Sequence, residues 1–154
     1  MMTSRVPAAV DALLAILRAA PALVEVDVID GPAAINYTRL QRLYVGWQPN
    51  GEAAVSLEQS FNSAGARTRD EAFSISCYAE ARAGDKDMKA RRDEVFALVG
   101  EIETALRATN TAPTAPTLNG TVLWAHLTAG DLTEVQAEGS LAGLAFTVTC
   151  QARI

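Results

Sequence analysis

Few side chains in this sequence could do chemistry, and those few are spread far along the chain. His126 is the only histidine, and the two cysteines, Cys77 and Cys150, lie in separate strand-like segments. Zinc sites draw on closely spaced Cys and His residues, such as a Cys-x-x-Cys pair, and the sequence has no spacing of that kind. We therefore predict no metal site and two reduced thiols, because an unpaired cysteine usually packs as a small apolar side chain.

Familiar catalytic and nucleotide-binding motifs are also missing from the sequence. There is no GxxxxGK[ST], no GxGxxG after a strand and no GxSxG. A Ser-His-Asp arrangement would need His126 together with distant partners. The carboxylates Asp85 and Asp87 are placed to cap a helix rather than to act as general acid and base. We predict neither enzymatic activity nor a cofactor, and an ordinary strand position for His126.

Length, composition and charge narrow the class of protein. The chain has 154 residues, 49% hydrophobic and 20% charged, so one domain can bury a core without metals or disulfides. Its net charge of −5 leaves no basic stripe for binding a DNA backbone. No apolar run approaches the roughly 18 residues that a membrane span requires. Asp11 and Arg18 interrupt the apolar N-terminal stretch, which favours a helix of a cytosolic protein over a secretory signal.

The first helix is predicted over residues 6–20, with Pro7 in its first turn and Pro21 beyond its end. Its apolar stripe consists of Val6, Val10, Leu13, Leu14 and Leu17. The opposite face is formed by Ala8, Ala12, Ala15 and Ala19. Alanine is simply a good helix former, but a small and apolar outer face also suits packing against another subunit. These four alanines are therefore candidates for a subunit interface.

The second helix is predicted from residue 88 to about residue 107, capped by Asp85 or Asp87. Its apolar stripe consists of Met88, Val95, Leu98, Val99, Ile102 and Leu106. Lys89, Arg91 and Arg92 occupy its first turns, and the two arginines flank the stripe. They are expected at the edge of a packed surface, near an acidic partner or a neighbouring chain, or else extended over solvent. Replacing both arginines by glutamate, Arg91→Glu with Arg92→Glu, should then leave folding of the chain largely intact and abolish its assembly with a partner or a neighbouring chain.

Alternation of apolar and polar residues predicts seven strands in the order α-β-β-β-β-α-β-β-β. The second and third are read as a hairpin around Pro49-Asn50-Gly51, and Ala129-Gly130-Asp131 as a turn between two later strands. Residues 62–71 form a polar loop whose interface candidates are Arg67, Arg69 and Asp70. Short connections favour antiparallel pairing. We predict one α+β domain over residues 1–154, with a mainly antiparallel, possibly mixed sheet of about six to seven strands and two helices on one face.

Charge is distributed unevenly along the chain. Basic residues concentrate between Arg67 and Arg92, whereas beyond residue 110 Arg153 is the one basic residue among Asp131, Glu134 and Glu138. Such asymmetry suits head-to-tail association, in which a basic surface of one copy meets an acidic surface of the next.

The order of these segments resembles the tail terminator proteins of long-tailed (siphovirus-type) bacteriophages, particularly those of actinobacterial phages. The matching segments are VDVIDGP, RLYVGW, SISCYAEARAGDKD, ARRDEVFALVGEIETALR, PTLNGTVLWAHL and GLAFTVTCQARI. Their order and spacing carry the resemblance, which covers essentially the whole chain. The chain departs from the family in the longer ATNTAPTAPTLNG connection, where residues 111–116 are read as a return loop rather than an interdomain linker.

The resemblance implies a structural virion protein that assembles into a six-fold ring. Such a ring caps the tail tube, ends its polymerisation and joins the tail to the connector or head-completion proteins. DNA would pass through the lumen without sequence-specific binding, and no membrane is involved. The alternative is a head–tail connector or head-closure ring protein at the same junction of the virion. A small cytosolic enzyme or ligand-binding domain is the third reading, and it would require a deep pocket with convergent polar groups.

Overall fold

The computed structural model describes residues 3–51, 53–65 and 67–154. Within these residues it contains the helices α1 (Val6–Ala19) and α2 (Met88–Ala105) and six strands. The strands are β1 (Asp27–Asp30), β2 (Gln41–Val45), β3 (Val55–Phe61), β4 (Arg69–Ala83), β5 (Trp124–Gln136) and β6 (Ser140–Arg153). The predicted α+β class is confirmed.

All six described strands belong to one mixed sheet; five of them follow the order β1-β2-β4-β6-β5, and β3 pairs with β4 outside this order. β1 runs parallel to β2, and the other pairs are antiparallel. The centre of the sheet is the long β4–β6 pair, whose register runs from Asp70 opposite Arg153 to Ala83 opposite Ser140. Inward and outward side chains alternate along most of both strands, which makes this pairing well specified, because a one-residue slip would turn the inward side chains to the other face.

The predicted hairpin between β2 and β3 is wrong. Both strands pair with the same edge of β4, end to end, so they do not pair with each other. The chain leaves this edge where the N–H groups of Gly46 and Trp47 both donate to the Ser76 carbonyl, at 2.7 and 3.0 Å. It returns where the Ser76 N–H donates to the Ala54 carbonyl at 3.0 Å. The Pro-Asn-Gly turn therefore belongs to an excursion from the edge; Glu52 in this excursion lies outside the described residues.

The predicted turn at Ala129-Gly130-Asp131 is also wrong. β5 continues through it, and the pairing with β6 shifts register between Ala129 and Leu132. Such a bulge adds residues to one strand and increases its twist without reversing the chain. Two predicted strands are thus one, which reduces the count from seven to six among the described residues.

Both helices cover the same face of the sheet, as predicted. The core beneath α1 and α2 is built from inward residues of the two central strands: Phe73, Ile75, Cys77, Ala79, Leu144, Phe146, Val148 and Cys150. The helices contribute Leu13, Leu14, Leu17, Val95, Leu98, Val99 and Ile102. The opposite face of the sheet is covered by neither helix and is called the open face below.

The connection from α2 to β5 is anchored to the core. Ala115, Leu118 and Val122 are buried, and Asn119 donates its N–H to the Thr114 carbonyl at 3.0 Å. Leu118 has a φ of 46°, a left-handed backbone conformation that costs a non-glycine residue about 1–2 kcal/mol. Burial of its side chain offsets that cost. The strand that follows this connection, β5, begins at Trp124.

Candidate interaction surfaces

The four alanines of α1 do not share one exposed face. Ala12 is only 9% exposed and belongs to the core, which corrects its assignment to the outer face. Ala8 is half-buried, whereas Ala15 and Ala19 are exposed. α1 contacts both β1 and α2, so a wider arc of its surface is buried than a single stripe would provide. Asp11 and Arg18 are exposed beside the remaining alanines, so the outer face is not uniformly apolar.

Arg91 is buried within its own chain, whereas the sequence predicted it at the edge of a packed surface or extended over solvent. It is 7% exposed, and its guanidinium lies 3.2 Å from Glu94 Oε1 and 3.9 Å from Asp85 Oδ2. Arg91 precedes Val95 by four residues and Leu98 by seven, so all three lie on the same face of α2, the face that packs on the sheet. A charge reversal at Arg91 is thus expected to disturb folding, contrary to the prediction from sequence.

Arg92 and Lys89 are exposed, but each has a carboxylate partner in the same chain. Arg92 Nε lies 2.6 Å from Glu134 Oε1, which links α2 to β5, and Lys89 Nζ lies 2.6 Å from Asp93 Oδ2. The hydrogen bond from Lys89 lowers the pKa of the Asp93 carboxyl. These pairs neutralise part of the charge asymmetry that the sequence displays.

The predicted loop over residues 62–71 ends earlier, because β4 begins at Arg69. Arg67 is exposed in the hairpin between β3 and β4, while Ala66 of the same hairpin lies outside the described residues. Arg69 donates to Gln59 Oε1 at 3.0 Å. Asp70 accepts a 2.9 Å hydrogen bond from its cross-strand partner Arg153, which lowers the pKa of Asp70. Of the predicted interface residues, Arg69 and Asp70 are neighbours at the start of β4. Lys89, Arg91 and Arg92 lie elsewhere, on α2.

Sequence reasoning missed a buried carboxylate, Glu71, that joins the chain's N-terminal segment to the β3–β4 hairpin. Glu71 has no exposed surface. Its oxygens accept hydrogen bonds from Ser4 Oγ at 2.6 Å, the Arg5 N–H at 2.8 Å and Gln59 Nε2 at 2.6 Å. Ser4 Oγ in turn accepts from the Val6 N–H at 3.0 Å, at the start of α1.

Two opposing effects act on the Glu71 carboxyl. Burial raises its pKa, but the hydrogen bonds from Ser4, Gln59 and Arg5 together lower it further, so the net pKa lies below the ordinary value. The side chain therefore stays ionised at neutral pH while buried. The sequence signal was available, because Glu71 continues the inward alternation of Phe73 and Ile75 by one more step.

The open face carries an aromatic cluster at one end and hydroxyl side chains in its middle. The ring of Tyr44 lies 4.7 Å from that of Trp47 and 6.1 Å from that of Tyr78. Ser74 and Thr149, which are cross-strand partners, lie 3.3 Å apart through their hydroxyl oxygens. This face is therefore polar but largely uncharged across its centre.

His126 is a strand residue, as predicted; it is exposed on the open face, with its ring 4.5 Å from that of Trp124. Cys77 and Cys150 are unpaired and buried, and burial raises the pKa of each thiol to about 12. Across the part of the chain that the structure describes, no group of three or more His, Cys, Asp or Glu side chains could hold a metal ion. No described helix is both long and apolar enough to cross a membrane.

Comparison of the sequence with models of protein families and with curated proteins finds no match.

Proposed function

We propose that this chain is a structural protein of a bacteriophage virion that acts at the head–tail junction as the tail terminator. Copies assemble into a six-fold ring that caps the tail tube, stops its polymerisation and presents a surface to the connector or head-completion proteins. DNA passes through the lumen of the ring without sequence-specific contacts. The role depends on surface complementarity and assigns no catalytic step to any residue.

Two kinds of observation support this proposal. The order and spacing of segments along the chain resemble the tail terminator family, and the two-helix α+β fold agrees with the fold that those segments predict. The observation that carries the proposal is the one-sided arrangement of the helices. It leaves the open face of the sheet, and the outer edges of its outermost described strands, available to other proteins or copies.

A ring requires two different surfaces on each copy, because a heterologous contact repeated by rotation closes only when each copy offers both halves of the interface. In this chain the helices cover only one face of the sheet, and the sheet has an edge on either side, so each copy offers two different surfaces for contact. A stable contact of this kind buries roughly 1,000 Å² or more.

The test is removal of the gene from the parent phage, followed by electron microscopy of the particles formed in infected cells. We expect abnormally long tails, or heads and tails that remain separate, and restoration of normal virions by a plasmid copy of the gene. Normal virions after the deletion would refute the proposal. A chain that binds portal complexes but not the ends of isolated tail tubes would instead identify it as a head-closure ring protein.

A further inference from the structure

Two Asn-Gly steps occur in the chain: Asn50-Gly51 in the excursion between β2 and β3, and Asn119-Gly120 before β5. A step of this kind can modify itself, because glycine has no side chain to hinder the attack of its main-chain nitrogen on the asparagine side chain. The remaining asparagines precede residues with side chains, which hinder the same attack. The two Asn-Gly steps are therefore the places where such a reaction would occur.

The reaction is a ring closure between the main chain and a side chain. The glycine nitrogen loses its proton to hydroxide and attacks the Cγ atom of the asparagine. The new C–N bond closes a succinimide ring, and the side-chain nitrogen takes up a proton and leaves as ammonia. Water then opens the ring at either of its two carbonyl carbons, which gives aspartate or isoaspartate. Water and hydroxide are the only co-reactants, and nothing is oxidised or reduced.

The local structure around an Asn-Gly step controls the rate of this reaction in a folded chain. Ring closure brings the glycine nitrogen up to Cγ, which requires rotation about the Cα–C bond of the asparagine. That rotation breaks the hydrogen bonds of the glycine N–H and displaces the residues beside it. A step that opens easily is therefore modified faster than one that is held by hydrogen bonds and by the core.

The Asn50-Gly51 step is held loosely. Gly51 donates its N–H to the Gln48 carbonyl at 3.3 Å, which closes a β-turn with Pro49 and Asn50 at its centre. This distance lies beyond the usual range of an N–H···O hydrogen bond. Asn50 and Gly51 are both exposed, and a Cβ atom built on Gly51 would meet no described atom within 4 Å. The turn therefore has room to change its conformation.

This turn can open without disturbing the sheet, because the excursion is fixed on both sides of it. Before the turn, Gln48 Nε2 donates to the Cys77 carbonyl at 3.1 Å and to the Phe146 carbonyl at 3.2 Å. After the turn, the Ala54 carbonyl accepts from the Ser76 N–H at 3.0 Å. Opening of the turn between these anchors is therefore a local event that leaves the core covered.

The Asn119-Gly120 step has the same composition but is held firmly. The Gly120 N–H donates to the Thr117 carbonyl at 3.0 Å and to Thr117 Oγ1 at 3.1 Å. The Asn119 N–H donates to the Thr114 carbonyl at 3.0 Å, and Asn119 Oδ1 accepts from Thr114 Oγ1 at 3.2 Å. The preceding residue, Leu118, is fully buried. Ring closure at Asn119 would therefore break several hydrogen bonds and displace a core residue.

We propose that Asn50 is a site of spontaneous deamidation and isomerisation in the native protein, and that the fold protects Asn119. The glycines of the two steps have similar φ angles, 72° and 82°, so hydrogen bonding and burial distinguish the steps. The product carries an additional negative charge at the tip of the excursion. Trp47 of the same excursion packs on Tyr44 in the aromatic cluster, so the change occurs beside the open face. The proposal does not depend on the proposed function.

Peptide mapping by mass spectrometry tests this proposal. The purified chain is kept in mildly alkaline buffer at physiological temperature, and samples are digested at intervals. We expect Asn50 to be converted about ten times faster than Asn119, because one additional hydrogen bond to be broken corresponds to roughly this factor in rate. The product at residue 50 should contain both aspartate and isoaspartate, whereas direct hydrolysis of the side-chain amide would give aspartate alone.

Two controls separate the effect of the fold from that of the sequence. In the chain unfolded by urea, both steps lose their hydrogen bonds, and their rates should become nearly equal. In the folded chain, Thr117→Ala removes one acceptor of the Gly120 N–H and should accelerate the conversion of Asn119. Thr117→Ser is the matched variant, because it keeps the hydroxyl group and should leave the rate at Asn119 unchanged.

Equal rates at the two asparagines in the folded chain, or a faster reaction at Asn119, would overturn the proposal. A rate difference that persisted in urea would also overturn it, because the neighbours in sequence would then set the rates. Aspartate without isoaspartate at residue 50 would refute the ring intermediate. Each of these results is independent of the phage deletion experiment, which tests the role in the tail alone.

Discussion

Replacing Glu71 by Gln should destabilise the fold through its contacts with the N-terminal segment. The carboxylate accepts three hydrogen bonds of 2.6–2.8 Å, and one of its donors, Gln59 Nε2, also donates to the Thr3 carbonyl at 2.9 Å. In the variant, one oxygen becomes an NH₂ group that faces the Gln59 amide and the Ser4 hydroxyl. Arg69 holds the Gln59 oxygen on the other side, so the Gln59 amide cannot turn round to accept from the new NH₂ group without losing that hydrogen bond, whereas Ser4 Oγ can accept a second hydrogen bond beside the one from the Val6 N–H.

The size of the expected loss in stability follows from the number of hydrogen bonds that are lost. A hydrogen bond to a charged group contributes about 1.5–3 kcal/mol, and leaving a buried donor without an acceptor costs a similar amount. Because one oxygen remains as an acceptor, we expect a loss of about 2–3 kcal/mol in the free energy of unfolding. For a chain of this length that corresponds to a fall in Tm of about 4–12 °C.

Urea unfolding followed by circular dichroism, at concentrations where the chain is monomeric, measures this loss. Glu58→Gln is the matched control, because Glu58 is exposed on the same strand as Gln59 and should change stability by no more than about 0.5 kcal/mol. A Glu71→Gln variant as stable as this control would refute the account of the buried carboxylate.

The pH dependence of the same pair gives an independent check. The folded-state pKa of Glu71 is lowered, so its contribution is fully present above the unfolded-state value of about 4.3 and is lost as the pH falls through the folded-state value. The difference in stability between wild type and Glu71→Gln should therefore be constant near neutral pH and shrink in acid. A difference that grows on acidification would contradict the assigned direction.

Three further predictions concern other parts of the fold. Arg91→Glu should lower the free energy of unfolding by about 3–5 kcal/mol, because it places a buried carboxylate beside those of Asp85 and Glu94. The same change at the exposed neighbour, Arg92→Glu, should leave the urea midpoint almost unchanged. Gly143→Ala should cost about 1–3 kcal/mol, since its Cβ would lie 1.7 Å from a buried tyrosine hydroxyl, while Gly100→Ala on the exposed face of α2 should stabilise by about 0.5–1 kcal/mol in the same assay. Leu57→Pro removes an N–H that points away from β4, because Ala54 and Asn62 are the hydrogen-bonded positions of that pair, so the circular dichroism spectrum should be retained; loss of the spectrum would contradict this hydrogen-bonding pattern.

Much of the sheet could be predicted from the sequence because inward and outward residues alternate along most of its two central strands. The inward positions of β4 and β6 follow the alternation of the sequence from Phe73 to Ala79 and from Leu144 to Ala152, and both helices cover one face of the sheet, as predicted. The errors arose at turn signals. Gly130-Asp131 and Pro49-Asn50-Gly51 have turn composition, but local composition cannot distinguish a bulge or an excursion from a reversal between paired strands.

The interface candidates were harder to predict, for a different physical reason. Sequence shows which residues carry charge but not which charges are already paired within the fold. Arg91 looked like a boundary residue because arginine is seldom buried, yet its spacing from Val95 and Leu98 places it on the packed stripe. Edge main-chain groups, in contrast, have no signature in composition, since every strand carries them and only the topology shows which remain unpaired.

This difference bears on where copies of the chain would meet. A partner that approached Arg92 or Asp70 would have to replace a hydrogen-bonded ion pair of 2.6 or 2.9 Å that already exists within the chain, so the exchange would gain little. A partner at the edge of β3 replaces water on main-chain groups and also buries the exposed Leu57 and Phe61 side chains. Arg92→Glu should therefore weaken self-association much less than Leu57→Pro when both are compared by analytical ultracentrifugation. If Arg92→Glu weakened self-association more than Leu57→Pro, the interface would instead lie at the charged surface of α2.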